Sequence, residues 1–275
     1  MVAGGVVALK RGPRMPRIGL GTWPMDDAEA EAVIADAIAG GYRLIDTAEN
    51  YENERGVGLG VKASRIDRSE VFITSKFNRQ WHSVQGVADA FARSADLLGV
   101  DYIDLFLIHW PNPDQDRYLE AWDGLLALHE QGLVRAIGTS NFTPRHLNRL
   151  VSQSGQTPDV NQIRVTPRAA QRDIWVLNAE YGVATQAWSP LGQGDDLLCH
   201  PDIVAVAERN DCTPAQVVLA WDLSHGVSVV PKSSDPVRLR QNLAAAEIHL
   251  SADDLAVLDA MDGQEPPPDP ETFMH

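Results

Sequence analysis

The sequence alternates eight times between a short β-branched or apolar run and a longer segment whose apolar residues recur every three or four positions. Few folds accept that rhythm, because each extended run has to be covered by the helix that follows it. The extended runs fall at Ile18 to Thr22, Leu44 to Thr47, Val71 to Lys76, Ile103 to His109, Ala136 to Ser140, Val160 to Val165, Val183 to Trp188 and Val227 to Pro231. Runs such as Asp104-Leu105-Phe106-Leu107-Ile108 are apolar on both sides, as parallel strands under helices must be. Eight such units, roughly thirty residues apart, suit a closed (β/α)8 TIM barrel better than an open doubly wound sheet. The class is therefore α/β, and residues 1–275 are expected to form a single domain.

The clearest helices are Asp27 to Ala39, Val84 to Leu98, Arg117 to Glu130 and Thr213 to Ser224, each with an apolar stripe and a polar or capping start. Ahead of the first unit, Val6 to Lys10 and Arg14 to Pro16 flank Gly12-Pro13, an N-terminal β-hairpin that could cap the base of the barrel. Beyond the eighth, Ser251 caps an extra C-terminal helix, and a Pro-rich loop runs from Glu265 over the surface.

Charge narrows the partners. The formal net charge of −15 repels nucleic-acid phosphates and anionic membranes, so neither is expected as a partner. An anionic small ligand must then be captured by a local group of cations or a helix N-terminus. Two cysteines, Cys199 and Cys212, an N-terminus whose basic residues follow its apolar stretch, and the lack of any membrane-length apolar run together point to a cytoplasmic protein.

In a barrel the chemistry gathers at the C-terminal ends of the strands. Asp46 ends the second run, Tyr51 follows in its loop, Lys76 ends the third and His109 ends the fourth. Each has a structural explanation when taken singly: a turn cap, a rim aromatic, a solvated lysine, a hydrogen-bonded core histidine. Their joint placement on one rim carries the functional reading.

The segments around them form an ordered series: Gly41-Tyr42-Arg43-Leu44-Ile45-Asp46-Thr47-Ala48 with Tyr51 and Asn53-Glu54, Ile73-Thr74-Ser75-Lys76, Asp104-Leu105-Phe106-Leu107-Ile108-His109-Trp110-Pro111, Gly138-Thr139-Ser140-Asn141-Phe142, Asn161-Gln162, Ser189-Pro190-Leu191-Gly192 and Val230-Pro231-Lys232-Ser233. This series, spread along nearly the whole chain, resembles the aldo-keto reductases. The resemblance implies an oxidoreductase that reduces an aldehyde, ketone or keto-sugar with hydride from NADPH, working as a monomer. Asp46, Tyr51, Lys76 and His109 would be catalytic, with Tyr51 the proton donor.

Physical chemistry is consistent with those roles. A phenol with a pKa near 10 is a sluggish acid at neutral pH, so a lowered value is expected. An ammonium about 4 Å away is worth roughly 4 kcal/mol at an effective dielectric near 20, up to about three pKa units before desolvation is subtracted. Asp46 would keep a buried Lys76 charged, and a neutral His109 would orient the carbonyl.

No dinucleotide fingerprint follows a strand; Gly56-Val57-Gly58-Leu59-Gly60 lacks both context and spacing. The barrel alternative puts phosphate recognition after the eighth strand, where Asp235-Pro236 opens a helix beside Lys232 and Arg238. By resemblance, Lys232, Ser233 and Arg238 would grip a 2′-phosphate, with Gln241 and Asn242 near the adenine. Ser140, Asn141 and Gln162 would hold the nicotinamide carboxamide and Trp188 would stack on its ring. Ser189, Leu191 and Gln193 would line the pyrophosphate, and Gly21, Thr22 and Trp23 would add contacts from the first strand. Trp23, Tyr51, Phe77, His109 and Trp110 would wall the substrate pocket. No metal is expected.

Some positions depart from the family pattern. Trp188 replaces a common tyrosine, as in the bacterial 2,5-diketo-D-gluconate reductase branch, and Gln241 replaces a frequent glutamate. Arg164-Val165-Thr166 stands where an acidic residue and then an aromatic or histidine are usual, a change assigned to strand packing. His82 reads as a solvated loop residue outside the site. The short tail implies an open pocket. Two other readings compete: a non-catalytic NADP(H)-binding redox sensor on the same barrel, and a metal-dependent hydrolase using Asp46 and His109, for which no further ligands stand at the strand ends.

Overall fold

The computed structural model describes residues 4–272. A two-stranded antiparallel hairpin, β1 (Val6–Ala8) and β2 (Arg14–Pro16), precedes the barrel. The barrel strands are β3 (Leu20–Gly21), β4 (Leu44–Asp46), β5 (Phe72–Phe77), β6 (Ile103–Ile108), β7 (Val134–Ser140), β8 (Val160–Arg164), β9 (Ala184–Trp188) and β10 (Ser228–Val230). They pair in parallel in chain order from β3 to β10. Closure comes from Ile18, which faces Val229; Gly19 N donates to Val229 O, and Val229 N donates to Arg17 O, both at 2.8 Å. The first strand is thus shorter than its sequence run. Its residues divide between two neighbours, Ile18 bonding toward β10 and Leu20–Gly21 toward β4.

Around the strands lie α1 (Asp27–Ala39), α2 (Glu54–Ala63), α3 (Val84–Leu98), α4 (Tyr118–Glu130), α5 (Pro144–Ser154), α6 (Arg172–Tyr181), α7 (Pro201–Arg209), α8 (Pro214–Ser224), α9 (Pro236–Ala244) and α10 (Ala252–Asp259). Three of the four clearest helices start on a side-chain cap: Asp26 accepts from Glu29 N, Ser83 from Gly86 N, and Thr213 closes a capping box with Gln216. Arg117 precedes α4 without such a bond.

Strand alternation sorts the apolar residues into two layers. Leu44, Phe72, Leu105, Leu107, Ala136 and Val160 fill the barrel with Leu9 and Met15 of the hairpin, so the hairpin plugs the base. Ile45, Ile73, Phe106, Ile108 and Ile163 face outward into the shell beneath the helices. The glycines of α2 serve that shell. A Cβ at Gly56 would stand 2.1 Å from Asp27 O, and one at Gly58 2.2 Å from Leu98 O, so these helices approach backbone to backbone.

Candidate active site

The same alternation that sends Leu44 and Phe72 into the barrel sends Asp46 and Lys76 into its upper mouth, one pleat or two above them. Lys76 is fully buried, and its Nζ donates to Asp46 Oδ1 at 2.6 Å, to Thr47 O at 3.0 Å and to the Tyr51 hydroxyl at 3.4 Å. Burial, the largest single effect, pushes the ammonium toward losing its proton, but Asp46 and Tyr51 together outweigh it and the pKa lies above the ordinary lysine value. Asp46 is itself held from the far wall, where Gln162 Nε2 donates to Oδ2 at 2.7 Å.

Tyr51 reaches the lysine from a single helical turn after β4, and its ring meets His109 edge-on at 5.9 Å. The phenol departs from the expected direction. Burial raises its pKa above 10, and the opposing pull of Lys76 does not cancel that. His109 is driven well below 6.5, first by burial and then by the Lys76 charge, so it is neutral at physiological pH.

These groups open into a cavity of about 360 Å³. Gly21, Thr22, Trp23, Asp46, Tyr51, His109, Trp110, Asn141, Gln162, Trp188, Ser189, Gln193 and Lys232 all line it. Larger clefts, of about 670 and 710 Å³, include hairpin residues at the base in their walls and hold none of the four reactive groups. Trp188 Nε1 donates to Asn141 Oδ1 at 2.9 Å, while Asn141 Nδ2 donates to His109 O at 3.1 Å and Ser140 Oγ at 3.0 Å. Ser140 therefore lies beneath Asn141, its hydroxyl donating to Gln162 O at 2.9 Å. The rim polar groups are locked before any ligand arrives.

Other expected site residues lie elsewhere. Phe77 is turned outward by the strand alternation and packs on Phe106 at 5.0 Å and His82 at 6.1 Å, away from the cavity. Leu191 packs against the outer core. Ser233, Arg238, Gln241 and Asn242 continue past the cavity wall onto α9 and its approach, with Asn242 buried and Arg238 exposed. Asp235 caps this helix, accepting from Val237 N at 2.7 Å and Arg238 N at 3.1 Å, so its carboxylate already uses two of the N–H groups. Lys232 contacts Ser234 Oγ at 3.1 Å and Glu29 at 3.4 Å.

Sequence reasoning missed Asn50, Arg164, Val230 and Pro268, which complete the lining. Arg164, expected to serve strand packing, lines the cavity instead: it follows Gln162 by two residues and so shares its inward face, a signal the alternation carries. His82 is not solvated: it is buried against Phe77, and burial lowers its pKa to about 4.

A family model described as "Aldo/keto reductase family" matches residues 17–262. A protein named "Aldo-keto reductase" from Mycolicibacterium vanbaalenii is 45% identical over 260 residues, covering 94% of this chain and 93% of its own. "Methylglyoxal reductase DkgA" of Yersinia pestis is 42% identical over 271 residues, covering 98% and 97%. Among solved structures, a mutant of Gox0644 in complex with NADPH superposes with a TM-score of 0.93 at 38% identity, covering 98% of both chains.

Proposed function

The chain belongs to the aldo/keto reductase family, and from that premise we propose that it reduces small aldehydes and ketones, keto-sugars and methylglyoxal-like dicarbonyls among them, with Tyr51 as proton donor. The observation that carries this reading is the buried relay from Asp46 through Lys76 to the Tyr51 hydroxyl, opening on a cavity that His109 also lines. NADPH supplies the hydride when bound. The residues fit it: Asn141, Gln162 and Trp188 border the cavity, and Lys232 lines it with Arg238 exposed on α9, ready for a phosphate.

Within that frame Asp46 keeps Lys76 charged, Lys76 turns the phenol toward the cavity, and Tyr51 delivers its proton to the oxygen that becomes an alkoxide. A raised phenol pKa keeps the donor protonated throughout neutral pH, which favours reduction over alcohol oxidation. Neutral His109 can donate a hydrogen bond to the same oxygen and fix its approach. Trp23, 48% exposed, and Trp110 supply apolar walls for a modest substrate.

Asp46, Tyr51, Lys76 and His109 all lie within one chain, so the proposed chemistry needs no second copy. Among the described residues no helix is long and apolar enough to cross a membrane, and Cys199 and Cys212 are free thiols, consistent with a cytoplasmic setting. The test is loss of NADPH absorbance with methylglyoxal and simple aldehydes. Tyr51→Phe should abolish turnover while NADPH still quenches tryptophan fluorescence. A Tyr51→Phe protein with full activity would overturn the proton-donor assignment, and no turnover by the parent across a broad carbonyl panel would favour the redox-sensor alternative.

A further inference from the structure

Arg164 brings a positive charge into the wall of the reactive cavity. It ends β8 directly above Gln162 on the inward face, beside Trp188 in the strand register. Its Nη2 lies 2.6 Å from Glu265 Oε1 in the C-terminal segment and 3.9 Å from Asp195 Oδ2 in the loop after β9. Both of those segments also contribute to the cavity wall, through Pro268 and through Ser189 and Gln193.

The closest approach of each carboxylate is to Nη2 of the guanidinium. The Nε–H is buried and meets no acceptor among the described residues. That closed Nε cannot itself meet a ligand, so an anion has to bind where the guanidinium lines the cavity, and a guanidinium fork suits a planar or tetrahedral oxyanion. Asp195 is loosely held, and its Oδ1 is occupied by Leu197 N at 2.8 Å. The chain carries a net charge of −15, so an anion entering the mouth needs a local cation of this kind.

We infer that Arg164 is an anion-reading residue of this pocket, taking a phosphate or carboxylate oxygen of a bound small molecule on the part of its guanidinium that lines the cavity. This rests on the reductase reading only for the choice of probes. The oxyanion has two possible sources, the dinucleotide or a carbonyl substrate bearing a carboxylate. Glu265 has a defined part in either case: it orients the guanidinium and also partly neutralises it, so removing its charge should strengthen anion binding.

The experiment compares the parent protein with Arg164→Met and Glu265→Gln in two arms. One titrates NADPH by tryptophan quenching, and the other measures the KM of benzaldehyde against para-carboxybenzaldehyde. If the dinucleotide is read, Arg164→Met weakens NADPH binding roughly tenfold or more and Glu265→Gln tightens it, with the ratio of the two KM values unchanged. If the substrate is read, that ratio moves in opposite directions in the two variants while NADPH affinity holds. The inference is overturned if neither readout moves, or if both variants weaken binding alike, since the pair would then only fasten the C-terminal segment. Failure of the parent to reduce either aldehyde counts against the reductase reading, and the NADPH titration still judges Arg164.

Discussion

Gln162 grips Asp46 from the opposite side of the barrel, its Nε2 donating to Oδ2 at 2.7 Å across 116 positions of sequence. The other carboxylate oxygen is taken by Lys76, so the acid that keeps the lysine charged is pinned at both ends. Gln162→Leu should leave a buried carboxylate oxygen without this donor and cost about 1–3 kcal/mol of stability. Urea denaturation checks it. An unchanged midpoint and slope would mean that Asp46 does not depend on Gln162.

The pH profile follows from two opposite shifts. His109 is held neutral by burial and by Lys76, so no acid limb near pH 6.5 should appear in kcat/KM for carbonyl reduction. The Tyr51 phenol, raised above 10 by burial, stays protonated, so reduction should be flat between about pH 6 and 8 and fall only in alkali. Oxidation of the alcohol, which needs the phenolate, should instead climb with pH across that window. A reduction profile falling with a midpoint near 7 would contradict both shifts.

Lys232 and Arg238 are cations beside α9, and among the described residues Arg238 has one ionic neighbour, Asp235 at 4.0 Å. Arg238→Ala should therefore weaken NADPH binding about tenfold while leaving NADH binding nearly unchanged. Paired fluorescence titrations of the two nucleotides test it; equal losses for both would place Arg238 away from the 2′-phosphate.

Asp222 lies fully buried in α8 with neither carboxylate oxygen partnered among the described residues, and burial raises its pKa well above the ordinary value. The folded state then holds a proton that the unfolded chain releases near pH 4. Its contribution to stability is complete below that point and declines by about 1.4 kcal/mol per pH unit up to the folded pKa. Asp222→Leu should stabilise the protein more at pH 8 than at pH 5, read by thermal unfolding at both. Equal effects at the two pH values would show that the carboxyl ionises freely in the fold.

Much of this protein was legible without coordinates because the information was local. Strand and helix periods run over neighbouring residues, so the alternation named the barrel, and α1 and α3 begin and end where their caps and apolar stripes put them. The convergence of Asp46, Tyr51, Lys76 and His109 on one rim was likewise readable, since each sits at or just beyond the end of a recognisable strand. Pairings between distant segments were not. The inward turn of Arg164 and the outward turn of Phe77 follow from strand register. The grip of Glu265 on Arg164 depends on where the C-terminal segment comes to rest over the barrel.

The sense of the Tyr51 shift belongs to this second group. Sequence supplied the lysine that lowers a phenol pKa, but only the packed structure set how much water the phenol loses, and that loss outweighs the lysine. Desolvation is a property of everything that surrounds a group, whereas a motif names only a few of its neighbours. For the same reason His82 could pass for a solvated loop residue until the shell around Phe77 closed over it.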